Sequence, residues 1–129
     1  MTEQKTVGSL DFEAIRRAVE DLDAELLASL YAEDAQPNFV GPGAPPNSPY
    51  EQGGKQKIME THRRVLEENP RQHVENEVIG KNRLAFTIPA VYPDGKHELC
   101  AVFLDLNDDG KVIRQTIVQA RDEEQEVHP

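Results

Sequence analysis

At 129 residues the chain has the length of one domain, large enough to bury a core and to enclose a ligand cavity. Its 37% hydrophobic and 29% charged residues describe a globular polymer, and a net charge of −10 disfavours nucleic acid, because binding phosphates needs clustered Lys and Arg. No apolar run approaches the roughly 20 residues that span a bilayer, Met1 to Ser9 lacks the apolar stretch of a secretion signal, and the single cysteine, Cys100, cannot form an intrachain disulfide. A cytoplasmic protein with no membrane contact is expected.

Residues 1–9 are polar and expected to be flexible. From Leu10 to about Tyr31, apolar residues fall at Ile15, Val19, Leu22, Leu26 and Leu30, so that one helix face is apolar. A break is expected at Asp21 or Asp23, either of which can cap a second helix. Glu33 and Asp34 mark a boundary, after which Pro37, Phe39 and Val40 suit a short strand over Gln36 to Val40. Gly41 to Gln52 holds Pro42, Pro45, Pro46 and Pro49, a loop long enough to act as a lid or rim. Gly53 and Gly54 open another helix with Ile58, Met59, His62, Val65 and Leu66 inward, and Asn69-Pro70 ends it.

From Arg71 onward the segments alternate or become wholly apolar. His73 to Ile79, Leu84 to Tyr92, His97 to Leu106 and Val112 to Ala120 read as four strands. Lys81-Asn82, Asp94-Gly95 and Asp108-Asp109-Gly110 are hairpin signals, so consecutive strands should pair antiparallel. The expected architecture is α+β, with N-terminal helices packed on a strongly curved, mainly antiparallel sheet. Leu99 to Leu106 is apolar at both parities, and a strand apolar on both sides must be covered on both sides. The helices cover one face; a second copy of the chain, forming a homodimer over Ala101 and Phe103, is expected to shield the other.

The order of elements, the segment Leu30-Tyr-Ala-Glu-Asp-Ala35 and the turn Asp109-Gly-Lys-Val-Ile113 together resemble the nuclear transport factor 2-like superfamily, in its branch of ketosteroid-isomerase-like and SnoaL-like proteins. The resemblance spans Leu10 to Arg121, giving a domain over 10–121 between the N-terminal segment and an acidic tail over 122–129. It implies a cone-shaped sheet, a cystatin-like roll, with an apolar interior. The ketosteroid isomerases combine a carboxylate base with a tyrosine and a protonated aspartate that donate to the enolate oxygen. Aligned on Tyr31 to Ala35 and on Gly110-Lys111, their tyrosine falls at Ile15, their base at Phe39 beside Asn38, and their aspartate at Val102. Alkyl and phenyl groups exchange no protons, so isomerisation by that trio is not expected. The same alignment turns Gln115, Ile117 and Gln119 of the last strand into the cone, where the two amides can orient a ligand carbonyl or bond locally to backbone and water.

Among ionisable residues, His62 on an apolar helix face is the first candidate for proton transfer, against the alternative of a satisfied rim residue. His73 and His97 read as surface groups. Tyr50 either closes over a ligand or packs its loop on the body. Arg114 should face outward, and Cys100, among Leu99, Ala101 and Val102, is expected to be a buried, inert thiol. Asp105 to Gly110 imitates the start of a calcium loop, but Thr116 stands at its twelfth position and strands flank it, so a hairpin is expected. Gly53-Gly54-Lys55-Gln56 lacks the features of a phosphate loop, and no metal-ligand motif is visible. Arg121 to His128, with four acids, reads as a solvated tail.

Two functions remain open. The first is a cofactor-independent SnoaL-like isomerase, cyclase or dehydratase acting on a hydrophobic carbonyl compound. Its polar contacts would come from His62, Asn38, Tyr50, Gln115 and Gln119, inside walls of Ile15, Phe39, Phe86, Val102 and Ile117. The second is a non-catalytic, dimeric ligand-binding or assembly module.

Overall fold

The computed structural model describes residues 6–7, 10–51 and 53–122. Strands β1 (Thr6–Val7) and β2 (Leu10–Asp11) form a small antiparallel pair. The rest of the expected flexible segment, residues 1–5, 8 and 9, and the tail after residue 122 lie outside the described residues.

Helix α1 (Phe12–Glu20) starts where Asp11 Oδ1 accepts the Glu13 amide at 3.0 Å and buries Phe12, Ile15, Ala18 and Val19. The expected break uses both candidate aspartates. Asp21 caps the end of α1, Leu22 turns the chain at φ +54°, and Asp23 Oδ1 accepts the Leu26 amide to cap α2 (Ala24–Ser29). The third helix, α3 (Gly54–Glu68), follows Gly53 at φ +102° and stops at Asn69, whose left-handed backbone precedes Pro70.

Strand β3 (Tyr31–Val40) begins five residues before the expected Gln36. Its first half was hidden because Glu33 and Asp34 point to solvent and the ladder to β8 is irregular between Tyr31 and Gln36. As an edge strand it also tolerates Pro37. The single strand expected over His73 to Ile79 is two, β4 (Arg71–Gln72) and β5 (Glu75–Ile79). Between them Val74 is drawn onto α1: its amide donates to Glu20 Oε2 at 2.8 Å, and its carbonyl accepts from Arg16 at 2.8 Å. Asn76, at φ +61°, adds a further irregularity.

Strands β6 (Arg83–Val91), β7 (His97–Leu106) and β8 (Val112–Arg121) are long and pair antiparallel. The sheet order is β3-β8-β7-β6-β4, with β5 also on β6 and with β3 parallel to β8. The turns obey their Asp-Gly chemistry: Gly95 and Gly110 have φ of +92° and +79°, and Asn107 Oδ1 accepts the amides of both Asp109 and Lys111. The calcium-like sequence is thus the β7–β8 hairpin.

The architecture is α+β as expected, helices covering one face of a curved, mostly antiparallel sheet. Its core joins Phe12 to Phe86, ring centroids 5.9 Å apart and edge to face, with Leu84, Leu104 and Val112 beside them. No helix among the described residues is long and apolar enough to cross a membrane. Phe12 is 0% exposed, and its replacement by alanine should lower the unfolding free energy by about 3–5 kcal/mol. Urea denaturation measures this; a loss under about 1 kcal/mol would place Phe12 outside the core.

Candidate functional site

A cavity of about 640 Å³ lies between the helices and the concave face of the sheet. All ten residues singled out in the sequence line it. Ile15 comes from α1, Asn38 and Phe39 from β3, Tyr50 from the Pro-rich loop and His62 from α3. Phe86, Val102, Gln115, Ile117 and Gln119 come from β6, β7 and β8.

The register of β7 and β8 grades the sheet wall. Leu104 pairs with Gln115, Val102 with Ile117, Cys100 with Gln119, and Glu98 with Arg121. At about 3.3 Å per residue, the run from Gln115 to Arg121 is roughly 20 Å long. At one end the Tyr31 hydroxyl donates to Gln115 Oε1 in a short hydrogen bond, and burial pushes the Tyr31 phenol well above its ordinary pKa. Next come the apolar rung and then Cys100, whose thiol burial pushes up to about 11. It stays protonated at neutral pH and is no nucleophile.

The Glu98–Arg121 rung was missed in the sequence. Glu98 is 7% exposed, the buried charged residue among those described. Its Oε2 accepts from Arg121 at 2.6 Å, and its Oε1 accepts from the Tyr92 hydroxyl at 3.1 Å. Burial, and then the Glu98 charge, raise the Tyr92 pKa. Arg121, assigned above to a solvated tail, is instead the last residue of β8 and lines the cavity. The alternation Gln115, Ile117, Gln119 contains the signal, since its next member is Arg121; Glu98 likewise shares parity with Cys100 and Val102.

Two lining atoms, Asn38 Oδ1 and His62 Nε2, are buried with no hydrogen-bond partner among the described residues. Burial lowers the His62 pKa below 6.5, so the imidazole is neutral at pH 7. The Pro-rich loop folds back onto β3, Phe39 and Tyr50 exchanging backbone hydrogen bonds of 2.8 and 2.9 Å, and Lys57 Nζ sits 5.6 Å from the centre of the Tyr50 ring. Tyr50 therefore packs its loop while remaining 41% exposed at the cavity. His73, His97 and Arg114 are exposed and lie away from the cavity lining. Among the described residues, no three His, Cys, Asp or Glu side chains gather where they could hold a metal.

No family model and no curated protein matches the sequence. Solved structures do match. A protein from Kribbella flavida DSM 17836, provisionally designated a ketosteroid isomerase, aligns over 92% of this chain and 79% of its own, with 19% identity and a TM-score of 0.67. An NTF-2-like protein of unknown function from Burkholderia xenovorans LB400 aligns over 91% and 84%, with 18% identity and a TM-score of 0.66. A protein with a cystatin-like fold from Silicibacter pomeroyi DSS-3 aligns over 84% and 72%, with 14% identity and a TM-score of 0.66. The chain has the nuclear transport factor 2-like fold, in agreement with the resemblance read from Leu30 to Ala35 and Asp109 to Ile113. Identities this low speak for the fold and assign no activity.

Because the folded protein holds its His62 pKa below 6.5, the unfolded chain binds more protons there, and stability falls as pH drops through about 6.5. An NMR titration should show an imidazole signal, absent from His62→Gln, with a midpoint below 6.5. A midpoint at or above that value would mean that the ring is not buried in solution.

Proposed function

We propose that the chain binds a small, largely apolar carbonyl compound in this cavity and that His62 moves a proton on it without a cofactor, as an isomerase, cyclase or dehydratase. The observation that carries this reading is the pair of unpartnered buried atoms, Asn38 Oδ1 on β3 and His62 Nε2 on α3. A buried polar atom left unsatisfied costs about 1–3 kcal/mol, and a ligand hydroxyl or other N–H or O–H group that donates to either acceptor removes that cost. The neutral imidazole is the form that accepts a proton. In such a step the C–H bond next to the ligand carbonyl breaks and its proton passes to His62 Nε2. The electron pair moves onto the carbonyl oxygen, where an amide N–H of Asn38, Gln115 or Gln119 can donate. Return of the proton to another carbon completes an isomerisation.

The competing reading is a ligand holder without catalysis. It is favoured by Ile15, Phe39 and Val102, which line the cavity where the isomerases carry their acid and base groups and which can exchange no proton. Either reading suits a cytoplasmic homodimer. Leu99, Phe103 and Val118 are 51%, 46% and 45% exposed on the convex face, over the two central strands β7 and β8, and a second copy would cover them.

Exchange of the α-protons of 2-tetralone in D2O, followed by NMR, separates the readings. The protein should accelerate it, and His62→Gln should lower that acceleration by about 10²–10⁴-fold while the ketone still binds. An unchanged rate in the variant would remove His62 as the base, and a wild type that binds the ketone without accelerating exchange would support the ligand holder. For the assembly, sedimentation at micromolar concentration should give a dimer that Phe103→Glu converts to a folded monomer. A wild-type monomer would refute the pairing.

A further inference from the structure

The cavity wall ends on a rung that neither reading uses. Glu98 is fully engaged, its side chain 5% exposed and both oxygens bonded, to Arg121 and to Tyr92. Arg121 is not: its side chain is 49% exposed, one nitrogen serves Glu98, and its other N–H groups have no acceptor among the described residues. A guanidinium offers five N–H donors in a planar fork, so one anchored edge leaves an oriented edge free. Such an edge matches a carboxylate with two parallel hydrogen bonds.

Around Arg121 itself the charge is mixed, with Glu68, Asp94, Glu98 and Asp122 beside Lys96, so an anion there is held by the oriented hydrogen bonds of the guanidinium rather than by a net positive field. In a chain of net charge −10, the charged residues lining the cavity are Lys57, Arg64 and Arg121 against Glu68 and Glu98. Lys57 is engaged by Glu60 at 3.4 Å, and Arg64 has no ion pair among the described residues. Next to Arg121 the lining becomes neutral and then apolar, through Cys100–Gln119 to Val102–Ile117.

We propose that Arg121 is a ligand-binding residue that captures the carboxylate of an apolar acid, whose body lies along those two rungs toward the interior. Glu98 is the positioning residue: it fixes the guanidinium at the cavity end and competes with the ligand for it. This rests on the ligand-binding reading above and narrows its ligand to an acid bearing a large apolar part.

Isothermal titration calorimetry at low salt, with 2-naphthoate and its neutral counterpart 2-naphthylmethanol, tests the assignment. The wild type should bind the acid about tenfold more tightly than the alcohol, as expected for a charge-assisted bidentate pair. Arg121→Gln should erase that preference and leave alcohol binding within about twofold. Because it leaves Glu98 buried without its cation, the double variant Glu98→Gln with Arg121→Gln provides the same reading in a neutral rung. Glu98→Gln alone, which keeps an acceptor for Arg121 but removes the competing charge, should increase the preference for the acid, and that gain should vanish in the double variant because it acts through Arg121. Arg114→Gln, on the convex face, should change neither affinity. Equal binding of the two probes to the wild type, or a preference that survives removal of Arg121, would overturn the assignment while leaving the cavity reading intact. Failure of both probes to bind would overturn both.

Discussion

Side chains alternate along a strand, so pairing Val102 with Ile117 commits Glu98, Cys100, Leu104, Gln115, Gln119 and Arg121 to the same concave face. A slip of one residue in β8 would exchange these for Arg114, Thr116, Val118 and Ala120 and would turn Gln119 and Arg121 outward. The cavity therefore depends on the β7–β8 register before it depends on any single lining residue. The Asn107 side chain, by accepting two amides across the hairpin, fixes that register at its turn, and the Glu98–Arg121 pair closes it at the other end.

Along this ladder the polar groups divide into those that are satisfied within the protein and those that are not. Tyr31 donates to Gln115, and the Glu98 carboxylate is satisfied by Tyr92 and by one edge of Arg121, whose other edge is open. Satisfied pairs hold the two ends of the wall in shape at little electrostatic cost, since a buried carboxylate is tolerable when both oxygens are bonded. Asn38 and His62 differ in carrying a buried atom with no partner among the described residues, and they sit on β3 and α3, two elements packed against each other.

The fold was legible where local chemistry and tertiary structure agree. Asp21 and Asp23 signalled the break between α1 and α2 because a capping carboxylate acts within three residues, and the Asp-Gly turns signalled the hairpins because a positive φ is a local demand. It was not legible where a distant element decides. The division of β4 from β5 is imposed by Arg16 and Glu20 on Val74, more than fifty residues away, and nothing in the sequence around Val74 announces it. Tyr31 was read as the end of the helical segment rather than the start of β3, because Glu33 and Asp34 interrupt the alternation that would have carried the strand back to it. The cavity residues were recognised through parity and resemblance, and the same parity, followed one step further, reaches Arg121; the acidic run behind it obscured where the strand ends.

Ile15, Phe39 and Val102 line the cavity from α1, β3 and β7. Alkyl and phenyl side chains at these three positions neither take nor donate a proton, and they bound an apolar volume. The polar groups of the lining are a neutral imidazole on α3, amides on β3 and β8, and a guanidinium at the end of β8. The scaffold thus constrains the size and apolar character of what binds more strongly than it constrains the reaction. The chemistry specific to this chain resides in the few polar side chains that its own sequence places on those walls.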